Sequence, residues 1–449
     1  MTHPVISFKP SYNSVIRGCP GLPDTLPRIE CELRIRSSDG KPFRIDKIEV
    51  CLKTVETLNS GLSFGSKSKF EKIQTHYRKN IMISEKLILG IDIPLTIALP
   101  DDVKETNFNP RFGKTITLFE CNVHYTLPSS SNFSDGTNIR SFMQPVNVER
   151  YTYLATKRLY PPITKQAYSA DKKFIVNYTI HNPCITSDDL LHVTIDIKPN
   201  LSGTISTNQR GLFSKKVKLK NLSYDIKEIL EVQDSHMIDS REHILHSTIQ
   251  NVGQVLDNTG IKLKSDIRIC TKNEYFRQFE SCMQEPSFLY KLPERETKYY
   301  KGKERTGFLV EETKTKLISN KSDSLIPFQY HTAITTFGKL FSIDYVLYMR
   351  FKISNGKDFE LKHRIDISPW PLVQIKYIEQ IIDEERETAR YAKQFYENFG
   401  GIKRNKISGD LEYPSLPPVI YFYDEENLKK LNIFFDRSHK TPRRIPIIE

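Results

Sequence analysis

The segment 236–246, HMIDSREHILH, holds the residues of this chain best suited to metal chemistry. His236, Asp239, His243 and His246 recur at intervals of three and four. On a helix that spacing gathers them on one face, and imidazoles with a carboxylate make a zinc-ligand set. The competing reading is the polar face of a short surface helix, with Asp239 and Ser240 at its N-cap. That reading is preferred, because Asp234, Asp239 and Glu242 give the segment solvated charge and no further motif supports a metal. Nucleophilic chemistry is no better supplied. The chain has no glycine-rich phosphate loop and no HExxH, so no nucleophile with a positioned base is evident in it. Its cysteines, Cys19, Cys31, Cys51, Cys121, Cys184, Cys270 and Cys282, form no CxxC pair. Such wide spacing fits small buried hydrophobes in a reduced compartment. Cys19 lies in the turn GCPG, with nothing nearby in sequence to lower its pKa. The expectation is a protein that is not an enzyme and holds neither cofactor nor metal.

Recognition chemistry is better represented. The stretch 415–421, SLPPVIY, nearly matches Pro-Pro-x-Tyr, the peptide read by WW domains, but Pro417 and Pro418 are followed by two residues before Tyr421. A prolyl pair pre-sets an extended backbone and lowers the entropic cost of docking in an aromatic groove. The extra residue advances the tyrosine by about 3 Å along an extended chain. RLYPPIT at 158–164 and KPSY at 9–12 are poorer matches. The alternative for 417–423, PPVIYFY, is a tail strand packed on a sandwich edge. Two basic clusters stand out. RGLFSKKVKLK supplies Arg210, Lys215, Lys216, Lys218 and Lys220, and KYYKGKER lies at 298–305. Each suits an acidic cargo segment or an anionic membrane surface. Each also suits a solvated strand edge, where lysine discourages edge pairing.

The elements that must position these residues are strands. The chain has 449 residues, 38% of them hydrophobic and 11% aromatic, with a formal charge of +12. This composition is globular, and the length suits two or three domains. The positive surplus suits an acidic partner. In LPRIECELRIRS, Ile29, Cys31, Leu33 and Ile35 alternate with Arg28, Glu30, Glu32, Arg34 and Arg36. A period of two predicts a strand with one core face and one wet face. KIEVCLKTV repeats the pattern, and KLILGIDIPLTIALP, KTITLFECNVHYTL and RSFMQPVNVER continue it. Residues 157–170 read as a linker, and a second strand-rich block follows. Within it, the loop-rich stretch 232–260 is read as holding a short helix. After Pro369-Trp370-Pro371 the pattern becomes helical. Ile378, Ile381, Ile382, Ala389, Ala392 and Phe395 form an apolar face that ends at Gly400-Gly401. This helix is expected to pack on the second sandwich or on a partner.

The fold class expected is all-β: two tandem antiparallel β-sandwiches, 1–160 and 165–371, then an amphipathic helix and partly irregular tail, 372–449. The tail carries 13 basic and 13 acidic residues, so the surplus charge belongs to the sandwiches. MTHPVISFKP lacks the basic and apolar regions of a signal peptide. No apolar run approaches the roughly 20 residues that span a bilayer.

PGLPDTLPRIECELRIRSSDGKPFRIDKIEVCLKTVETL resembles the opening strands of fungal α-arrestins, the arrestin-related trafficking adaptors, and is closest to their yeast subgroup. KKFIVNYTIHNPCITSDDLLHVTIDIKP is similar to the start of their second domain, and FGKLFSIDYVLYMRFKISNGKDFELKHRIDISPW to its closing strands. The resemblance covers most of residues 1–371. It implies an adaptor that links plasma-membrane transporters or receptors to a HECT-class ubiquitin ligase with WW domains. It implies partners in that ligase, in cytosolic segments of membrane proteins and in the anionic membrane surface, without nucleic acid. It implies a cytoplasmic protein recruited to the plasma membrane or endosomes. By position, Pro417, Pro418 and Tyr421 would dock the ligase, although the family's exact Pro-Pro-x-Tyr is missing. That departure leaves a second expectation: an arrestin-fold scaffold without ligase docking, in a developmental or vesicle-trafficking complex. A third, suggested only by charge, is a sandwich that binds nucleic acid or phosphoinositides.

Overall fold

A computed structural model describes residues 2–9, 16–58, 71–83, 87–109, 112–128, 138–146, 148–186, 189–200, 217–234, 237–256, 259–268, 335–368, 370, 372–406 and 409–429. The first block forms β1 (Pro4–Lys9), β2 (Ile16–Arg17), β3 (Arg28–Ser37), β4 (Arg44–Leu58), β5 (Glu71–Met82), β6 (Gly90–Ala98), β7 (Asn107–Asn109), β8 (Gly113–Thr126) and β9 (Asn138–Val146). The second forms β10 (Ile163–Tyr168), β11 (Phe174–Ile180), β12 (Cys184–Ile185), β13 (Leu190–Pro199), β14 (Lys218–Asp234), β15 (Met237–Val255), β16 (Ile261–Arg268), β17 (Thr336–Phe337), β18 (Phe341–Ser354) and β19 (Phe359–Ile367). The tail adds the helix α1 (Leu372–Glu397) and three short strands, β20 (Lys403–Arg404), β21 (Leu411–Glu412) and β22 (Val419–Tyr421).

The architecture is all-β, two antiparallel sandwiches in tandem followed by a helix. In the first, a sheet ordered β1-β3-β6-β22 faces a sheet ordered β5-β4-β8-β7, with β9 beside β8. Alternate residues of facing strands fill one core: Ile29, Leu33 and Ile35 from β3, Ile48, Val50 and Leu52 from β4, Phe119 and Val123 from β8. In the second, β10-β11-β13-β16 faces β12-β19-β18-β14-β15. Its core takes Val176 and Ile180, Val193 and Ile195, Leu222 and Ile226, Leu347 and Met349. Each core follows from period-two alternation, which gives each sheet one apolar face to bury.

Three expectations are corrected. The stretch 232–260 is not helical: β14 and β15 make a long hairpin, from Asp234↔Met237 back to Lys218↔Val255. Recurrence at three and four does not distinguish a short helix from a strand carrying a bulge. This strand has a register shift where Ile226 pairs with His246 and Lys227 with Ile244. The linker reading of 157–170 overlaps β10, an edge strand paired to β11 from Ile163↔Ile180. Most of its residues are exposed, so it lacks the apolar face that reveals a strand in sequence. The helix α1 packs on residues of the first sandwich, not on the core of the second. Ile375, Ile378 and Ile382 join Cys19, Leu154 and Trp370, while Ala389, Ala392 and Tyr396 join Leu26.

The junction between the sandwiches is polar and specific. Glu56, 2% exposed at the end of β4, accepts the backbone N–H groups of Lys339 (2.9 Å) and Leu340 (2.7 Å) in the turn before β18. Gly338 is required there, because a Cβ would lie 2.3 Å from the Glu56 Oε2 atom. Leu58 and Phe112 of the first sandwich pack into the core of the second. Trp370 donates its indole N–H to the Arg150 carbonyl at 2.9 Å. No helix among the described residues is long and apolar enough to cross a membrane.

Candidate functional site

The charged face of β3 was expected in water, yet all ten of its residues are buried. Ile29, Cys31, Leu33 and Ile35 point to the core, so Arg28, Glu30, Glu32, Arg34 and Arg36 line the opposite face. They are paired along the strand. Arg28 Nε meets Glu30 Oε1 at 2.6 Å, Arg34 Nε meets Glu32 Oε1 at 2.5 Å, and Arg36 pairs with Asp92 on β6. Arg36 also donates to the Ile35 and Ile91 carbonyls at 3.0 and 3.1 Å. Buried arginines persist when hydrogen-bonded and paired in this way.

Three tail tyrosines lie over this ladder. Tyr396, from the end of α1, shares a 2.7 Å hydrogen bond with Thr96 of β6. Tyr413 stacks edgewise on Tyr396, ring centroids 5.0 Å apart. Burial raises the pKa of both phenols, that of Tyr413 to about 12, and Glu30 raises both further. Both phenols are therefore neutral at physiological pH, and the Tyr413 hydroxyl is buried without a hydrogen-bond partner. The helix reaches the face because Ala389 and Ala392, both buried, let its backbone approach. The turn GCPG is its platform: the Gly18 N–H donates to Glu385 at 3.0 Å, and Asp24 pairs with Arg386 at 2.5 Å. Gly18 has φ +73°, and a Cβ there would meet the Thr25 carbonyl at 2.5 Å. Cys19 in this turn is buried, which pushes its thiol pKa up.

The third tyrosine is Tyr421. The stretch SLPPVIY enters the first sandwich as β22, antiparallel to β6, with Val419↔Asp92, Ile420↔Ile91 and Tyr421↔Gly90. Tyr421 is 7% exposed. Its hydroxyl donates to Asp92 Oδ2 at 2.9 Å, its carbonyl accepts the Leu89 N–H at 2.8 Å, and the Arg36 guanidinium lies 4.5 Å from its ring centroid. Ile420 faces the other way and packs on the sandwich core. This accounts for the residue in excess of Pro-Pro-x-Tyr. Strand alternation needs Ile420 inward so that Tyr421 points outward onto Asp92. Pro417 and Pro418 remain exposed. The tail-strand reading of this segment is therefore the conformation seen.

The other sequence-derived residues are not brought together here. Lys218 and Lys220 are exposed on β14, flanking the buried Leu219, while Arg210, Lys215 and Lys216 lie outside the described residues. Lys352 of β18, opposite Asn221, joins these two lysines through the sheet, a neighbour that sequence distance hides. Of the zinc set, His236 lies outside the described residues, Asp239, His243 and His246 lie on the strand β15, and no metal-capable cluster of three His, Cys, Asp or Glu occurs among the described residues. The five described cysteines are free thiols. Sequence reading missed the ladder and its two covers, Tyr396 and Tyr413. The available signal was a tail rich in tyrosine beside a strand with an unbroken charged face.

No family model matches the chain. It is 40% identical over 509 aligned residues to RHO1 GEF localizing protein 1 of Saccharomyces cerevisiae, an alignment that spans the whole of both chains. The chain belongs to the family of that yeast protein.

Proposed function

We propose that this chain is a non-enzymatic scaffold built on an arrestin-like pair of sandwiches, and that it holds a RHO1-type GEF at its place of action. The observation that carries this reading is the seating of Tyr421, whose ring and hydroxyl are engaged within the molecule. A WW groove needs the same tyrosine exposed beyond a polyproline II turn. The seated strand therefore favours a scaffold without ligase docking over a ubiquitin-ligase adaptor. The relative's name, a GEF localizing protein, supports the same choice. Lys218, Lys220 and Lys352 supply a basic surface through which the scaffold meets an anionic membrane.

The exposed Pro417 and Pro418 keep the ligase adaptor as the second reading. One experiment separates the two. Fluorescently tagged GEF is followed in cells that lack this chain and in cells that carry Pro417→Ala with Pro418→Ala. The scaffold reading expects the GEF to disperse without the chain and to return with the double variant. Loss of transporter ubiquitination in the double variant, with the GEF correctly placed, would put the ligase adaptor first.

A further inference from the structure

The seat under β22 has the properties of a binding surface in its own right. Asp92 is 1% exposed, with one carboxylate oxygen on Arg36 and the other on the Tyr421 phenol. If the phenol leaves, a buried carboxylate oxygen loses its donor, so the seat favours an occupant that brings an O–H to that depth. The occupant must also be extended over three residues, with an apolar side chain at the middle position, where Ile420 meets the core.

The resident occupant is anchored by its tyrosine, but the strand is short. Its pairing spans three residues, and exposed groups flank it, Pro417 and Pro418 before and Phe422 and Tyr423 after, the last two 44% and 61% exposed. β6 runs for nine residues, from Gly90 to Ala98, and β22 pairs only with Gly90–Asp92. Among the described residues no strand is hydrogen-bonded to the rest of that edge, and β21 lies beside β6 without pairing to it. A longer incoming strand would pair there by displacing the tail as far back as β21.

We propose that the β6 edge is a strand-acceptor site for a tyrosine-bearing extended segment of a partner protein, with the chain's own tail strand as its resident occupant. This rests on the scaffold reading above. The chemistry selects an apolar residue followed by tyrosine. Phenylalanine leaves the Asp92 oxygen without a donor, and phosphotyrosine sets two negative groups against each other.

The test uses the full chain and a fluorescent peptide copying residues 412–427. Against the native chain the peptide competes with a tethered strand at roughly millimolar effective concentration. Against the chain carrying Ile420→Asp with Tyr421→Ala it should bind at least ten times more tightly. The peptide with phenylalanine in place of Tyr421 should lose about tenfold. That difference should vanish when Asp92→Ala is added to the chain. Equal binding to native and double-variant chains, with thermal melting showing both folded, overturns the site. So does equal binding of the tyrosine and phenylalanine peptides. GEF placement is scored separately in cells, so a seat that takes no peptide removes this site and leaves the scaffold standing.

Discussion

At the scale of single residues, the ladder under the tail is a case where burial and stability diverge. Arg28 and Glu30 form a pair 2.6 Å apart with side chains at most 1% exposed. Attraction in such a site is largely offset by the desolvation of both charges. Breaking the pair leaves one charge buried alone. Glu30→Ala should therefore lower unfolding free energy by about 3–5 kcal/mol, whereas Arg28→Met with Glu30→Leu should change it by less than about 1 kcal/mol or raise it. Urea denaturation of the three chains reads this directly. Equal destabilisation by the single and double changes would mean that the ladder stabilises the fold as a pair. Glu105 gives a pH-dependent counterpart. It is 4% exposed, its Oε1 atom has no hydrogen-bond partner, and burial raises its pKa. The folded state then keeps this proton to higher pH than the unfolded state. Stability from the group is complete below the unfolded pKa, about 4.3, and is lost as pH rises through the folded value. Glu105→Gln should match the native chain near pH 4 and exceed it increasingly toward pH 7.

At the scale of elements, the question is what keeps α1 on the first sandwich. Ala392 is fully buried while its neighbour Tyr391 is 59% exposed, so adjacent positions report opposite faces of one helix. Ala392→Asp forces a charge against Leu26 and Tyr396, and should cost about 3 kcal/mol or more. Tyr391→Asp should cost under about 0.5 kcal/mol. Limited proteolysis should cleave the first variant after α1 before the sandwiches are cut, and leave the second as resistant as the native chain. Strand and helix identities of this kind were legible, because β3, β4 and β11 alternate cleanly and α1 keeps its apolar spacing over 26 residues. What covers each face was not. The charged side of β3 looks like any wet strand face until a tail more than 300 residues away folds over it. β10 was missed for the converse reason, since an exposed edge strand has no apolar period to detect. In β15 a bulge broke the period, and the hairpin partner alone settles its register.

At the scale of the whole molecule, two cores are joined by few but directional contacts, and the relative setting of the sandwiches depends on them. Glu56 matters most. It belongs to the first sandwich, and its two carboxylate oxygens each take a backbone N–H from one turn of the second. No side-chain substitution in that turn can replace this contact, because the donors are main-chain groups. Around it, Lys72 donates to the Lys339 carbonyl at 2.8 Å and Lys339 reaches Asp102 at 3.4 Å, but both ion-bearing contacts lie at the surface and are screened. Glu56→Ala should leave the two N–H groups without a buried acceptor and weaken the junction by about 2–3 kcal/mol. Neither core loses an apolar side chain, so the sandwiches themselves should stay folded. The expected result is therefore a change in cooperativity: one calorimetric transition in the native chain, and two separated transitions in the variant. Gly338→Ala, which brings a methyl group against the same carboxylate, should act in the same direction. If both variants still melt in a single transition at a uniformly lower temperature, the apolar contacts of Leu58 and Phe112 hold the sandwiches together, and Glu56 only tightens a joint that they define.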